Sequence, residues 1–280
     1  MDKTTQIQKA EKFLALHEDP KLLVLPNIWD PLGARLLEGL GYPAVATASA
    51  AVAYSLGYDD GQKIKFDAML DVIERIASSV AVPMTADIER GYAEHPQEIA
   101  ENIRQVMHAG AVGINFEDSS FEGGPLQPID FQCERIQAIR NMADKEGIPL
   151  VINARIDVFM RSADISRSEK IAETISRGKA YLDAGADCLY PIGPGDVETL
   201  KRIREETEAP INVYASKLAA SMKELAAIGI SRLSLGPGLI RASLTTMRNV
   251  AQQLLDYGPY DSFSAEDIMT SDEIRKYIST

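Results

Sequence analysis

Apolar runs and amphipathic stretches of helix length alternate along this chain in a recurring order: a helix, a glycine where it would end, then a short run rich in β-branched residues. LLEGLGYPAVATA (36–48), VMHAGAVGINFED (106–118), YLDAGADCLYP (181–191) and LAAIGISRLSLG (225–236) follow it. Gly41, Gly110, Gly185 and Gly229 suit the left-handed position that closes a helix. Three further runs, AVPMTAD (81–87), GIPLVINARID (147–157) and APINVY (209–214), enter through a turn residue, and LLVLP (22–26) opens the series, which makes eight.

Little polar alternation within these runs indicates parallel strands buried on both faces. Their spacing fits right-handed βα units, so the pattern predicts an α/β protein, a (β/α)8 barrel, with a doubly wound open sheet as the alternative. The segment LPNIWDPLGA after the first run lacks the glycine-rich nucleotide fingerprint, which weakens that alternative. A helix is predicted from about Leu239 to Leu255, then a break at YGPYDSF. A last helix is predicted in SAEDIMTSDEIRKYI, capped by Ser264 with Glu266 and Asp267 in its first turn. The expected division is a barrel domain over residues 1–258 and a C-terminal helical extension over 259–280. That extension either packs on its own barrel or docks its apolar face on a neighbouring subunit.

Length does not choose between two ordinary domains and one barrel at 280 residues. The net charge of −12 argues against nucleic acid and anionic membranes as partners. Cys133 and Cys188 are too few for a disulfide framework and read as buried thiols. The polar, helical N-terminus lacks the apolar core of a secretion signal, and no run approaches a membrane span, so a cytoplasmic location is expected.

In such a barrel the active site forms where the strands end. The second run leads to a loop with Asp59 and Asp60; the third ends in Asp87 and Glu89, the fourth in Glu117 and Asp118, the fifth in Arg155 and Asp157. In an extended strand Asp87 and Glu89 would leave in one direction. Each acid alone reads equally as a solvated residue or a helix cap, but together they would crowd one mouth at high cost without a cation. Oxygen ligands without His or Cys favour Mg2+, with Mn2+ also suitable. His17, His95 and His108 have surface or packing roles. Such an ion chelates a 2-oxo acid and stabilises its enolate, with Arg155 holding the substrate carboxylate or the oxyanion.

Small residues at TASAAVAY (47–54) either offer backbone donors, with Ser49 and Ala50 the expected contacts, or ease packing. The loop FEGGPLQP (121–128), with Gly123 and Gly124, is either a lid over the site or a plain surface loop.

With these residues in hand the chain resembles the isocitrate lyase and phosphoenolpyruvate mutase superfamily from about Leu23 to Leu255. PNIWDPLGARLLEGLGYPAVATAS, GYDDG, TADIERGY, GAVGINFEDS, NARIDVF and SLGPGLIRASL carry the resemblance, in that order. It implies a barrel, often a tetramer of swapped dimers whose C-terminal helix packs on a partner, and Mg2+-dependent breakage of C–C or P–C bonds beside a 2-oxo acid. By position, Asp59, Asp87, Glu89 and Glu117 match the superfamily's metal-site acids, several acting through water. Arg155 matches its carboxylate-holding arginine, and Ser49, Ala50 and Ala51 its backbone donor turn.

Two departures matter. The second acid of the usual DxD is Glu89, followed by Arg90; and FEGGPLQP stands where the lyases carry their gating-loop cysteine. Cys133 lies in the following helix and is a poor substitute. Isocitrate and methylisocitrate cleavage are therefore not expected. The expected activity is C–C cleavage or formation beside a small 2-oxo or 2-hydroxy carboxylate by a homo-oligomeric lyase or decarboxylase, with Glu122 the one loop residue able to serve as acid. The alternatives are P–C chemistry on phosphonopyruvate and a degenerate protein that binds a 2-oxo acid without turnover.

Overall fold

A computed structural model of the chain describes residues 1–121, 124–259, 261 and 268–278. Helix α1 (Lys3–Glu18) leads into β1 (Leu23–Leu25), and Pro26, which has no N–H to give a ladder, separates β1 from β2 (Asn27–Ile28). There follow α2 (Pro31–Gly39), β3 (Val45–Thr47), α3 (Ser49–Ser55), α4 (Phe66–Ser79), β4 (Met84–Asp87), α5 (Pro96–His108) and β5 (Gly113–Glu117). Then come α6 (Ile129–Glu146), β6 (Val151–Ile156), α7 (Val158–Arg161), α8 (Arg167–Asp183), β7 (Cys188–Pro191) and α9 (Val197–Thr207). The last elements are β8 (Asn212–Tyr214), α10 (Met222–Ala227), β9 (Arg232–Ser234), α11 (Gly238–Leu255) and a C-terminal helix, Ser271–Ile278.

Every strand pairing is parallel, in the orders β2-β3-β4-β5-β6-β7 and β1-β9-β8. A parallel bridge between Leu189 and Ile211 joins the two sets on one side, and the β1–β2 strand joins them on the other. The ring closes, and the structure is the (β/α)8 barrel rather than the open sheet. With β1 and β2 counted as one strand, each of the eight predicted runs holds one strand of the ring. The four predicted helix-closing glycines all have positive φ. At Gly110 the demand is also steric, because an added Cβ would lie 2.8 Å from the Ala77 Cβ.

Strand residues are buried almost without interruption, and the β-branched side chains of Val151, Ile152, Ile114 and Val213 lie in one core that includes Phe13 of α1. Of the two thiols, Cys188 is buried as expected, whereas Cys133 is only half-buried, its Sγ donating to the Ala180 carbonyl from the outer side of α6. Among the described residues no helix is long and apolar enough to cross a membrane.

The expected cap Ser264, with Glu266 and Asp267, lies outside the described residues. The C-terminal helix starts at Ser271, where Thr270 accepts from the Glu273 amide and the Glu273 carboxylate accepts from the Thr270 amide. It packs on α2 of its own chain: Arg35 donates to the carbonyls of Tyr277 and Ile278, and the Tyr277 ring lies against Gly39.

α1 closes the barrel floor and contributes a pH-sensitive group. His17 is 1% exposed, its Nδ1 donates to the Phe13 carbonyl, and it stands edge-on to the Phe13 ring. Burial, with the Arg232 charge nearby, lowers its pKa to about 4. The unfolded chain binds this proton at about pH 6.5, so between 6.5 and 4 it holds more protons than the folded chain, and stability falls as pH falls. The linkage amounts to about 3 kcal/mol. Asp87 and Glu89, whose carboxyl pKa values are raised by burial, titrate in the opposite sense over this range, so the His17 contribution is read by difference. From pH 7 to pH 4.5 the urea-unfolding free energy of His17→Leu should change more favourably than that of the wild type; an unchanged pH slope in the variant would refute the assignment.

Candidate active site

The strand ends collect charge at one mouth of the barrel. Arg155, late in β6, sits between two buried carboxylates. Its Nε and Nη2 donate to Asp157 at 2.6 and 3.0 Å, and its Nη1 lies 2.8 Å from Glu117 Oε2. Burial alone would lower the guanidinium pKa, yet Glu117 and Asp157 outweigh it and raise it well above the ordinary value. Two of its five N–H donors are thus hydrogen-bonded, both to Asp157, Glu117 adds an ion pair, and Arg155 lines the mouth cavity.

Opposite Arg155, Asp87 ends β4. Its Oδ2 accepts from the Ser49 amide and hydroxyl, both at 3.1 Å. Burial is the main cause that raises its pKa to about 6, with Asp60 and Glu117 adding repulsion against the opposing pull of Arg155. Burial likewise raises Glu89 to about 8, reinforced by Asp60, Glu117 and Asp87. Glu117 goes the other way: burial would raise it, but Arg155, Ser119 and Arg90 prevail and hold it below the ordinary value.

Several expectations about these residues need correction. Asp59 is exposed and accepts from the Asp60 amide, whereas Asp60 is the acid that lines the cavity. Burial raises the Asp60 pKa, and its Oδ1 is buried without a hydrogen-bond partner among the described residues. Asp87 and Glu89 do not leave one strand together. β4 ends at Asp87, and Glu89 takes φ +51°, so the two-residue strand period no longer applies. Glu89 turns beneath the loop after α3 and accepts from the Gln62 amide at 2.9 Å. The Ser49 amide serves Asp87 rather than standing free for a ligand; Ala50 lines the cavity, and Ala51 is buried without lining it.

Arg90 sits inside the acidic ring, donating to Glu117 Oε1 (3.3 Å), the Gly61 carbonyl and Gln62 Oε1 (3.1 Å). Asp118 is fully buried and receives the Asp157 amide, the Tyr181 hydroxyl and Arg177. Glu122 and Gly123 lie outside the described residues. On either side of them the loop is tied down: Ser120 donates to the Pro125 carbonyl, Ser119 bridges Leu126, and the Gln127 amide donates to the Asp118 carbonyl.

The mouth cavity holds about 170 Å3, below the roughly 300–1,000 Å3 typical of pockets for drug-sized ligands. It suits a small metabolite. A larger groove of about 1010 Å3 runs outside the barrel between α5, α6 and α8, away from every strand end, and is not the candidate. Neutral polar residues line the rest of the mouth: Asn27, Asn115, Tyr190, Tyr214 and Ser234. A search for charge alone overlooks them; their place at the ends of the first, fourth, sixth, seventh and eighth apolar runs was the available signal.

Among the described residues no group of three or more His, Cys, Asp or Glu is placed to hold a metal ion directly. Glu117 faces two arginines and Glu89 faces the Gln62 amide. The donor set nevertheless suits a hard cation held partly through water: Asp60 has an unpartnered buried oxygen beside Asp87, and these acids raise one another's pKa.

A closed parallel barrel whose strand ends carry buried acids and a clamped arginine defines an enzyme of the (β/α)8 class. The phosphoenolpyruvate phosphomutase family model matches residues 13–255, and the chain belongs to that family. It is 29% identical over 245 residues to the uncharacterized protein MT2054 of Mycobacterium tuberculosis (strain CDC 1551 / Oshkosh), covering 87% of this chain and 89% of that one. With the oxaloacetate decarboxylase of Pseudomonas fluorescens (strain SBW25) it shares 25% identity over 283 residues, 96% of this chain and 92% of the relative. A crystal structure from Burkholderia cenocepacia J2315, described only as a lyase/mutase, superposes with a TM-score of 0.90 at 34% identity, covering 99% and 98%. The protein is an enzyme of the lyase-like and decarboxylase-like kind within this superfamily.

Proposed function

We propose that the protein cleaves or forms a C–C bond adjacent to the carbonyl of a small 2-oxo or 2-hydroxy carboxylate, by way of an enolate and with Mg2+ bound. The observation that carries this reading is Arg155, held by hydrogen bonds to Asp157 and an ion pair with Glu117 while lining a cavity that Asp60 and Asp87 also line. A carboxylate or oxyanion against Arg155 is met by a charge-assisted, planar donor pair. Asp87 and Asp60 would hold the cation, with Glu89 and Glu117 acting through water, and Mn2+ would serve the same oxygen set. When bound, the ion supplies charge neutralisation for the enolate, worth several kcal/mol. Tyr190, whose phenol burial keeps protonated, lines the same cavity, as does Tyr214.

Product release and substrate loss with Mg2+ should be assayed over oxaloacetate, dimethylmalate, methylisocitrate, isocitrate and phosphonopyruvate. Turnover of a C–C substrate, lost in Asp87→Ala, supports the proposal; turnover of phosphonopyruvate alone would replace it with P–C chemistry. Within the active protein, Asp60→Asn should lower kcat/KM at least tenfold and Asp59→Asn less than twofold, because only Asp60 reaches the cavity. Equal effects of the two would sink the distinction.

The protein is further proposed to be a cytoplasmic homo-oligomer. α11 exposes Leu244, Met247, Leu254 and Leu255 along its length, with Ile240 its one buried residue. A second copy of the chain covering that face explains apolar residues so placed. Light scattering should give a dimer or tetramer, and Met247→Glu with Leu254→Glu should shift it to smaller species; a wild-type monomer at micromolar concentration would overturn the assignment.

A further inference from the structure

Beside its charged residues the mouth cavity is lined by neutral polar side chains, and Asn115 among them is held by an arginine buried inside the barrel. Arg232 on β9 is fully buried inside the barrel, and its bonds go to neutral acceptors: Nε to Ser234 Oγ at 3.1 Å and Nη2 to Asn115 Oδ1 at 3.2 Å. A guanidinium can only donate, so the Asn115 amide must turn its oxygen down towards Arg232. Asn153 on β6, the register partner of Asn115 on β5, therefore presents its Nδ2, which donates to the same oxygen at 2.8 Å. With Oδ1 holding two donors, the amide has one orientation. Its Nδ2 has no acceptor among the described residues, and Asn115 lines the mouth cavity beside Asp87, its register partner on β4, and with Arg155.

We propose that Asn115 is a substrate-contacting residue, donating through Nδ2 to a carboxylate or keto oxygen of the bound 2-oxo acid, and that Arg232 is the positioning residue fixing this orientation. The assignment rests on the 2-oxo-acid reading given above. A neutral donor here has a clear use: a second free cation would compete with the acids for the cation site, whereas an amide N–H reads an oxygen without adding charge. Binding an analogue that leaves the N–H unmet, or replacing the donor by an acceptor, removes a buried hydrogen bond and exposes the ligand oxygen to a like charge.

The test separates ligand contact from structural support. Asn115→Asp is nearly isosteric, keeps an acceptor for Asn153 and gives Arg232 an opposite charge that offsets the repulsion from Asp87, so the folded barrel retains its thermal stability. The same change places a carboxylate where the donor stood. Oxalate, which carries two adjacent carboxylates, is titrated calorimetrically into the full-length protein with Mg2+ present. The expected result is oxalate affinity at least tenfold lower for Asn115→Asp, with Tm equal to that of the unsubstituted protein. Arg232→Met should also weaken oxalate, and in the double variant with Asn115→Ala its effect should largely vanish, because Arg232 acts through Asn115.

Normal oxalate affinity in Asn115→Asp, with binding by the unsubstituted protein intact, would overturn this assignment and leave the proposed function standing. So would an affinity loss that merely tracks a fall in Tm. Should the unsubstituted protein bind neither oxalate nor any 2-oxo acid, the proposed function and this inference fall together.

Discussion

Arg155→Lys is expected to lower kcat/KM for the 2-oxo acid by roughly 100- to 1,000-fold, the cost of losing one positioned charge-stabilising donor. The charge survives, but the geometry does not. Arg155 gives Nε and Nη2 to Asp157 and pairs through Nη1 with the charge of Glu117, and only a planar fork can address both carboxylates and still offer N–H groups to a ligand. A lysine ammonium has three donors on one atom, so engaging Asp157 and Glu117 leaves at most one, drawn back from the ligand. Arg155→Met should be worse and also less stable, because Asp157, fully buried, would lose its partner. Steady-state kinetics with circular dichroism on the Lys variant decide the matter. Activity within threefold of wild type in a folded variant would show that Arg155 only supports its neighbours.

The largest effect on stability is expected at Asp118. Replacing it by Ala leaves Arg177, Tyr181 and the Asp157 amide without a carboxylate that all three address from buried positions. Removing one partner of a buried charged network costs about 3–5 kcal/mol, which for a chain of this size corresponds to roughly 10 °C in Tm. The network reaches further than its own residues. Arg177 also donates to the Gln127 carbonyl, so through Arg177 the stem of the loop after β5 is tied to the same carboxylate that accepts the Asp157 amide and so positions Asp157, the partner of Arg155. Asp118→Ala should therefore raise KM and lower kcat at temperatures where it is still folded. Urea denaturation within 1 kcal/mol of wild type would mean that the network relaxes onto other partners.

Much of the barrel was legible because its signal is local and repeated. Parallel strands covered on both faces must be apolar throughout, helices of the outer ring must be amphipathic, and glycines recur where helices close. A residue ending an apolar run must then lie at the mouth, and Asp87 and Arg155, which end the third and fifth runs, line the cavity there. The loops carried no such constraint. Asp59 and Asp60 are chemically the same and adjacent in sequence; only the path of the loop after α3, with Gln62 at φ +61° and its amide on Glu89, turns Asp60 inward. Glu89 lies two residues beyond the end of β4, where the strand's period no longer holds.

By itself the sequence determined an α/β chain of eight parallel strands in order and the end at which charge gathers, since these follow from burial and periodicity; that the strands close into a ring was decided by the pairing of their edges. Only the tertiary structure decided which partners meet. Arg90 and Arg155 both turn on Glu117, the Ser49 amide is taken by Asp87, and Arg232 holds the Asn115 amide oxygen. Those outcomes depend on hydrogen bonds between strands and loops far apart in sequence, as with Asn115 and Arg232 across the barrel interior, and no local pattern encodes which of several donors reaches a shared acceptor.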